Sequence, residues 1–483
     1  MESAPGSGNR PWRVERHGLE VIPERERVGT VWDLFWIWFA ANLGILGVLY
    51  GAIVVGFRLN LVQDLLVIGL GSLSFVLVGY FSVAGRDGAA PMMTLSRAVF
   101  GTYGNLLPTT VSWVSLLGWE AVTVAVATMA LTGLLGGLIP LPGPALALAA
   151  LGVVAALVVA FGLLGQATLV VVQRWAGYVF GALTLLVAAL LLPGTHWAAL
   201  AHRPPGPFAT GVLPALSIVV AGTSLSWCNT AADYSRYIPR QTPAGRIVLG
   251  TTAGAALPLL GLMLTGLLLA TRAPQLAAAA NPIAAIGQAL PAWMTVPYLV
   301  TAVAGLVVEA DLSLYSSGLN LLNLMVPVQR YKSVVVDAAT MVGGTVYLVL
   351  LAPDFLGPFE SFLILLGIGL AAWAGVFLVD QAWLRQARGG YPEHLLCAGD
   401  GPSPPAAGRR VATDAVAAWL AGVAAGLACT SSPLFNGPLA HGPFAGSSLE
   451  LAVAFGTSGA ILILWALGRR LAATRAPQRA AGA

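Results

Sequence analysis

The sequence predicts an all-helical membrane protein with about twelve transmembrane helices. Three observations predict it: an apolar composition, twelve long apolar stretches, and arginines that fall almost entirely on alternate connections. The chain of 483 residues is 57% hydrophobic and only 9% charged, with a mean hydropathy of +0.82. A soluble domain carries about 25% charged residues. A soluble fold cannot hide this much apolar surface, so the solvent of most of the chain is lipid.

A helix needs about 20 apolar residues to cross a bilayer. Twelve stretches qualify, near 30–55, 62–84, 105–134, 143–165, 169–193, 211–233, 245–270, 296–326, 334–352, 356–380, 411–431 and 448–469. The third and eighth are the longest, which suits a tilted crossing. Positive residues concentrate on the cytoplasmic side of a membrane protein. With the N-terminus placed inside, all of the 24 Lys and Arg except Arg58, Arg203 and Arg272 fall on cytoplasmic segments. One missed span would scramble that pattern. The expectation is a multi-pass protein of the cell membrane with both termini cytoplasmic.

The same asymmetry accounts for the net charge of +4. No basic patch is interleaved with aromatics, so nucleic acid is not an expected partner. Residues 1–29 are polar and rich in Arg and Glu, unlike a cleaved signal. Cys228, Cys397 and Cys429 are scattered, and neither they nor the five His show metal-ligand spacing. No nucleophile–base pair, Walker loop or dinucleotide fingerprint is present. No cofactor or metal is expected, and the chain does not read as an enzyme. The Pro/Gly-rich stretch Gly389–Gly408 separates ten spans from a final pair.

Ten plus two is informative. Secondary transporters are often built from two inverted five-helix repeats, with sites at the midplane on interrupted helices. Spans 1 and 6 correspond in that plan. Span 1 carries Asn42, Gly44, Gly47 and Gly51; span 6 carries Gly222, Thr223, Ser224 and Ser226. Both have a small, polar, helix-weakening middle, although close packing through small residues produces the same pattern. The predicted organisation is a tail at 1–29, a first repeat at 30–193, a second at 211–380, a cytoplasmic loop at 381–410, two helices within 411–469, and a tail at 470–483.

The remaining candidates lie at the same depth. Span 3 holds Trp119, Glu120 and Thr123 near its centre; span 8 holds Glu309, Asp311 and Ser313. A carboxylate at the bilayer centre costs about 2.5 kcal/mol or more and generally marks a pathway or relay. On a helix, Glu309 and Ser313 share a face, and Asp311 lies nearly opposite. At most one of these acids faces a single cavity. Trp119 or Trp227 alone also fits plain packing, and Glu120 fits an internal pairing. Asp233 and Arg236, at the end of span 6, suit a structural or gating role.

At these residues the sequence resembles a known family. Trp227–Pro239 (WCNTAADYSRYIP) is similar to the span-6 signature of the purine–cytosine permeases of the nucleobase–cation symporter-1 family. Glu15–Pro23 (ERHGLEVIP) and the following WDLFWIWFAANLGILGVLYGA resemble the start of those permeases. Leu95–Gly101 (LSRAVFG), Gly118–Trp119 and Leu314–Ser316 (LYS) agree as well. The resemblance runs from Glu15 to the end of span 10. It implies twelve spans, the 5+5 repeat, alternating access, and a site for a flat heterocycle among spans 1, 3, 6 and 8.

It also implies roles for single positions. Trp119 stands where the family stacks its heterocycle. Thr123 replaces an amide that hydrogen-bonds substrate, and Ser313 replaces an asparagine that reads the ring edge. The span-6 aromatic falls on Trp227, or on Ser224 by the pattern of the hydantoin-transporting branch. Glu309 replaces a further asparagine. Val307 and Val308 replace two hydroxyls of sodium-coupled members, which favours protons as the coupling ion.

The substrate-binding candidates are therefore Asn42, Trp119, Glu120, Thr123, Thr223, Ser224, Trp227, Glu309 and Ser313. Glu309 and Asp311 are the proton-coupling candidates. The expectation is a proton-coupled importer of a nucleobase or related heterocycle. The alternatives are a transporter of allantoin, hydantoin, a pyrimidine vitamin precursor or an amino acid, a membrane sensor that binds without transporting, and an integral membrane enzyme. Nothing in the sequence specifies the oligomeric state.

Overall fold

Every predicted span has a helix at its place. A computed structural model describes residues 12, 17–136, 138–162, 166–194, 197–272, 286, 290–327, 330–352, 354–385, 389–396, 410–432, 434–441 and 445–480. Spans 2 to 10 are Leu61–Gly88, Leu106–Leu135, Gly143–Gly162, Ala167–Leu190, Phe208–Cys228, Ala244–Thr271, Ala292–Asn323, Lys332–Leu351 and Gly357–Leu384, and span 12 is Glu450–Leu471. Span 1 is a broken pair, Val31–Ala41 and Ile45–Gly56, bent by 59°. Span 11 is Thr413–Cys429, only 17 residues long. At 1.5 Å per residue it reaches about 25 Å, short of a ~30 Å hydrocarbon core. Among the described residues ten helices are thus long and apolar enough to cross, eleven with the bent pair. Parts of the predicted tails and of the 381–410 loop (1–11, 13–16, 386–388, 397–409 and 481–483) lie outside the described residues.

The helices start where the sequence provides caps. Thr30 and Asp33 form a capping box at span 1, and Asn60 and Gln63 form one at span 2. Each satisfies orphan backbone N–H groups that lipid cannot hydrate. Span 3 is the most enclosed helix, 83% buried over its apolar window, whereas spans 5 and 9 are 17% and 22% buried. Spans 3 and 8 lie against each other over much of their length, and spans 1 and 7 do likewise. The second contact is backbone to backbone: a Cβ on Gly51 would meet the Met263 carbonyl, and one on Gly266 would meet the Val48 carbonyl. Such approach is how apolar helices associate in a solvent as apolar as themselves.

One face of the bundle carries the basic residues. Arg174 pairs with Asp33 at 2.7 Å. Arg469 pairs with Asp414 at 2.9 Å and Arg385 with Asp380 at 2.5 Å. Residues 17–29 run across the same face, which is called the N-terminal face below. At the other face Arg203 reaches Asp64 at 3.5 Å.

Candidate functional site

The break in span 1 follows from its residues. Asn42 ends the first half-helix and donates through Nδ2 to the Trp38 carbonyl at 2.9 Å. Gly44, at φ −99° and ψ 160°, precedes the second half-helix. A Cβ on Gly44 would stand 2.8 Å from Oε2 of Glu309. Only glycine leaves room here for the carboxylate. Glu309 therefore sits at the break and faces the end of the second half-helix, whose first N–H groups have no intrahelical partner. Helix N-termini carry partial positive charge, so a movement of the half-helix changes the field on the carboxylate.

Span 6 is interrupted at matching depth. A π-helical turn, Ala221–Leu225, replaces α-helix. The side chains of Thr223 and Ser226 fold back onto the backbone, Thr223 to the Val219 carbonyl at 2.6 Å and Ser226 to the Ala221 carbonyl. The Gly222 carbonyl accepts from the Tyr50 hydroxyl at 3.1 Å. Helix resumes over Ser226–Cys228, stops at Asn229–Thr230, and restarts over Ala231–Ser235. Wide turns of this type concentrate at functional sites.

Between these breaks lies a cavity of about 20 Å³, room for about one water. Asn42, Trp119, Thr223, Trp227 and Glu309 line it, together with Tyr50. Five candidates from four different spans are thus brought together. Trp119 meets Phe359 and Phe362 edge-on, with ring centroids 6.0 and 5.6 Å apart. Trp227 meets Trp38 edge-on at 5.6 Å. Among the described residues nothing hydrogen-bonds the Glu309 carboxylate or the Trp119 indole N–H. A planar heterocycle displaces several times the ~30 Å³ of one water, so it enters only when the surrounding helices part.

The other candidates lie elsewhere. Glu120 is fully buried but turns from the cavity toward Asp337 of span 9 and Ser317 of span 8. Its position about 100° around the helix from Trp119 is the reason. Thr123 donates back to the Trp119 carbonyl at 2.8 Å. Ser313 is buried one turn beyond Glu309 and does not line the cavity. Asp311 faces span 4, with Oδ1 3.4 Å from where a Cβ on Gly162 would stand. Ser224 turns to the opposite side of span 6, where it hydrogen-bonds Ser74 at 2.6 Å. There it borders a larger cavity of about 320 Å³ between spans 2, 6, 10 and 12. That cavity has an apolar lining with no indole or carboxylate, so the small central one is the better candidate site.

Beneath the site, toward the N-terminal face, polar contacts close the bundle. Ser112 of span 3 accepts from Nδ2 of both Asn229 (2.7 Å) and Asn320 (2.6 Å). The Tyr234 hydroxyl donates to the Leu312 carbonyl of span 8 at 2.9 Å. Asp233 accepts from the Met92 backbone N–H at 2.7 Å, capping the helix Met92–Phe100. Arg236 reaches the Tyr315 hydroxyl at 2.9 Å and the Gly18 carbonyl at 2.8 Å.

Two residues escaped the sequence reading. Tyr50 sits two turns past the break, in a run that reads as plain apolar helix; its only signal was a hydroxyl inside a span. Asp337 lies near the start of span 9, where a carboxylate reads as an interfacial residue. The structure buries it completely.

A bundle of apolar helices with two interrupted spans around a small indole-lined cavity defines a membrane transporter of the broken-helix type. The comparisons carry this further. Residues 21–452 match the model of the family of permeases for cytosine/purines, uracil, thiamine and allantoin, and the chain belongs to that family. The chain is 28% identical over 384 residues to a putative purine-cytosine permease, YxlA, of Bacillus subtilis, covering 78% of this chain and 81% of that one. It is 28% identical over 288 residues to the purine-cytosine permease FCY21 of Saccharomyces cerevisiae, covering 58% of this chain and half of the yeast protein. In fold it resembles Mhp1, a nucleobase-cation-symport-1 family transporter described in a closed conformation with bromovinylhydantoin bound. The TM-score is 0.69 at 18% identity, covering 94% of each chain. An inward-facing form of Mhp1 matches with a TM-score of 0.68 at 16% identity, covering 94% of this chain and 96% of that one. The chain is a multi-pass membrane protein of a permease family rather than an enzyme.

Proposed function

We propose that the chain imports a nucleobase of the cytosine or purine type by proton symport with alternating access. The observation that carries this reading is the cavity where Trp119, Trp227, Asn42 and Glu309 meet at the two helix breaks. A nucleobase has π faces and a donor–acceptor edge. Stacking on an indole recognises the face at about 1–3 kcal/mol with little regard to ring identity. Glu309 supplies the group that recognises the edge, because leaving a buried carboxyl unpaired is costly, and Asn42, Thr223 and Tyr50, whose donors engage backbone carbonyls, offer oxygen acceptors beside it.

Glu309 is the proposed proton carrier. It borders the cavity, so a proton on it and a base beside it interact directly. Coupling then requires only that the base bind one protonation state better than the other. Asp311, facing span 4, is the secondary candidate. Sodium is disfavoured because Val307 and Val308 offer no side-chain oxygen, which hard cations require. The Val308 carbonyl is already engaged by Nε2 of Gln173 at 3.2 Å. The two halves 30–193 and 211–380 are the proposed inverted repeats, and the arginine-rich N-terminal face is the cytoplasmic one.

Uptake of labelled cytosine, adenine, uracil and allantoin in a host lacking its own permeases tests the reading. Accumulation of cytosine or adenine supports it. Accumulation of allantoin alone moves the substrate to the hydantoin type, and binding without accumulation makes the chain a sensor.

A further inference from the structure

The segment that precedes span 1 is built into the N-terminal face. The Ile22 N–H donates to the Ala89 carbonyl and the Gly29 N–H to the Tyr237 carbonyl, each at 2.9 Å. Arg27 donates to the Ile238 carbonyl at 2.6 and 3.0 Å and also to the Arg86 carbonyl. Arg236 of span 6 joins the Gly18 carbonyl to Tyr315 of span 8. Ile22, Ala89 and Tyr237 form a small apolar cluster apart from the main core. Residues 18–29 are therefore a strap across the ends of spans 2, 6 and 8.

One side chain holds the strap in its turn. Nδ1 of His17 lies 2.9 Å from Oε1 of Glu20, and Nε2 lies 2.9 Å from Oε2 of Glu26. Both ring nitrogens thus face carboxylate oxygens, which only accept. Neutral imidazole carries one N–H, so it satisfies one carboxylate and sets a lone pair against the other. The imidazolium satisfies both.

We propose that His17 is a pH-operated latch: its protonation closes the strap's own turn from Glu20 to Glu26, the form in which Ile22, Arg27 and Gly29 reach the bundle, and its deprotonation loosens that turn so that the strap can leave the N-terminal mouth. The groups facing it agree. The hydrogen bond to Glu20, the charge of Glu20 and the hydrogen bond to Glu26 raise the His17 pKa; partial burial and the nearby Arg236 oppose this without reversing it. Arg25 stands 3.9 Å from Glu26, and the Tyr237 ring meets the imidazole edge-on at 6.4 Å. Glu24 is engaged by Arg27 at 2.8 Å and by the Arg240 backbone N–H at 3.3 Å, so neither it nor Arg27 competes for His17.

The sign follows. A histidine whose pKa is raised by folding holds the latch below its ordinary range and loses it as pH rises through the raised value. With this face in the cytoplasm, acidification by imported protons fastens the strap and slows inward opening. The latch itself depends on neither the substrate nor the driving ion.

Hydrogen exchange on the purified full-length protein, without substrate, tests this. Protection of the Ile22 and Gly29 amides, corrected for intrinsic exchange, is expected to fall about tenfold between pH 6.0 and pH 8.5. H17R keeps two donors and a fixed charge and is expected to stay protected at both pH values. H17Q is expected to show low protection at both, with span 3 exchange unchanged as the control for folding, and E26Q, whose amide can donate to the neutral ring or accept from the charged one, is expected to stay protected at both. Protection in the unmodified protein that does not vary with pH, or an H17Q variant that tracks it, overturns the latch and leaves the transport reading untouched.

Discussion

Replacing Trp119 by Ala is the most informative perturbation of recognition. The indole is 6% exposed, lines the cavity, and is held from behind by Phe359 and Phe362. Among the described residues its N–H has no partner, so it offers a ligand a π face and a free donor at the ring edge. Losing one base–aromatic stack removes about 1–3 kcal/mol. At about 1.4 kcal/mol per tenfold change, Kd rises roughly 5- to 150-fold. The same substitution removes a large buried side chain, which alone costs about 3–5 kcal/mol of stability. Trp119→Phe separates the two effects: it keeps a ring against Phe359 and Phe362 and is expected to retain much of the affinity. Titration of purified, folded variants with cytosine and adenine, read by ligand-induced thermal shift or calorimetry, gives the comparison. Unchanged affinity in folded Trp119→Ala would refute stacking and make Trp119 a packing residue.

Other outcomes follow from the same geometry. Gly44→Ala sets a methyl group 2.8 Å from the Glu309 carboxylate; it is expected to displace that carboxylate and to reduce uptake at least tenfold, measured beside expression and Tm. Tyr50→Phe removes the bond to the Gly222 carbonyl; a stability loss of about 0.5–1.5 kcal/mol is expected by thermal denaturation. Glu309→Gln imitates the protonated carboxyl permanently and is expected to retain substrate binding and exchange while losing pH-driven accumulation, with Asp311→Asn assayed in parallel. A Cys introduced at His202 or His441 is expected to react with a membrane-impermeant reagent outside intact cells, and one at Ser403 to be protected; labelling at Ser403 would invert the topology.

The fold was legible because lipid imposes a simple grammar. Backbone groups must pair within a helix, so about 20 apolar residues write a span almost directly. Span 11 is shorter than its predicted stretch of 411–431: its helix covers only Thr413–Cys429. The helix breaks were visible as Asn42–Gly44 and Gly222–Ser226, small and polar in otherwise apolar runs. Which side each residue faces was harder to read. Trp119 and Glu120 are adjacent, yet one lines the cavity and the other meets Asp337. Thr223 and Ser224 divide in the same way between two cavities. A helical turn separates neighbours by about 100°, and only the packing of the third, sixth and ninth spans decides which direction is inward. Tyr50 was missed because a hydroxyl in an apolar run gives no sign of the carbonyl it meets on another span. The opposed faces of Glu309 and Asp311 were readable from spacing alone.

The central claim is proton-driven import of a nucleobase through the cavity at Glu309. Its most direct test is accumulation of labelled cytosine or adenine in proteoliposomes that hold purified protein. An inward proton gradient in sodium-free buffer is predicted to drive the base above equilibrium, and a protonophore to abolish the excess. Accumulation that follows a sodium gradient at constant pH, or none for any nucleobase under either gradient, would contradict the account.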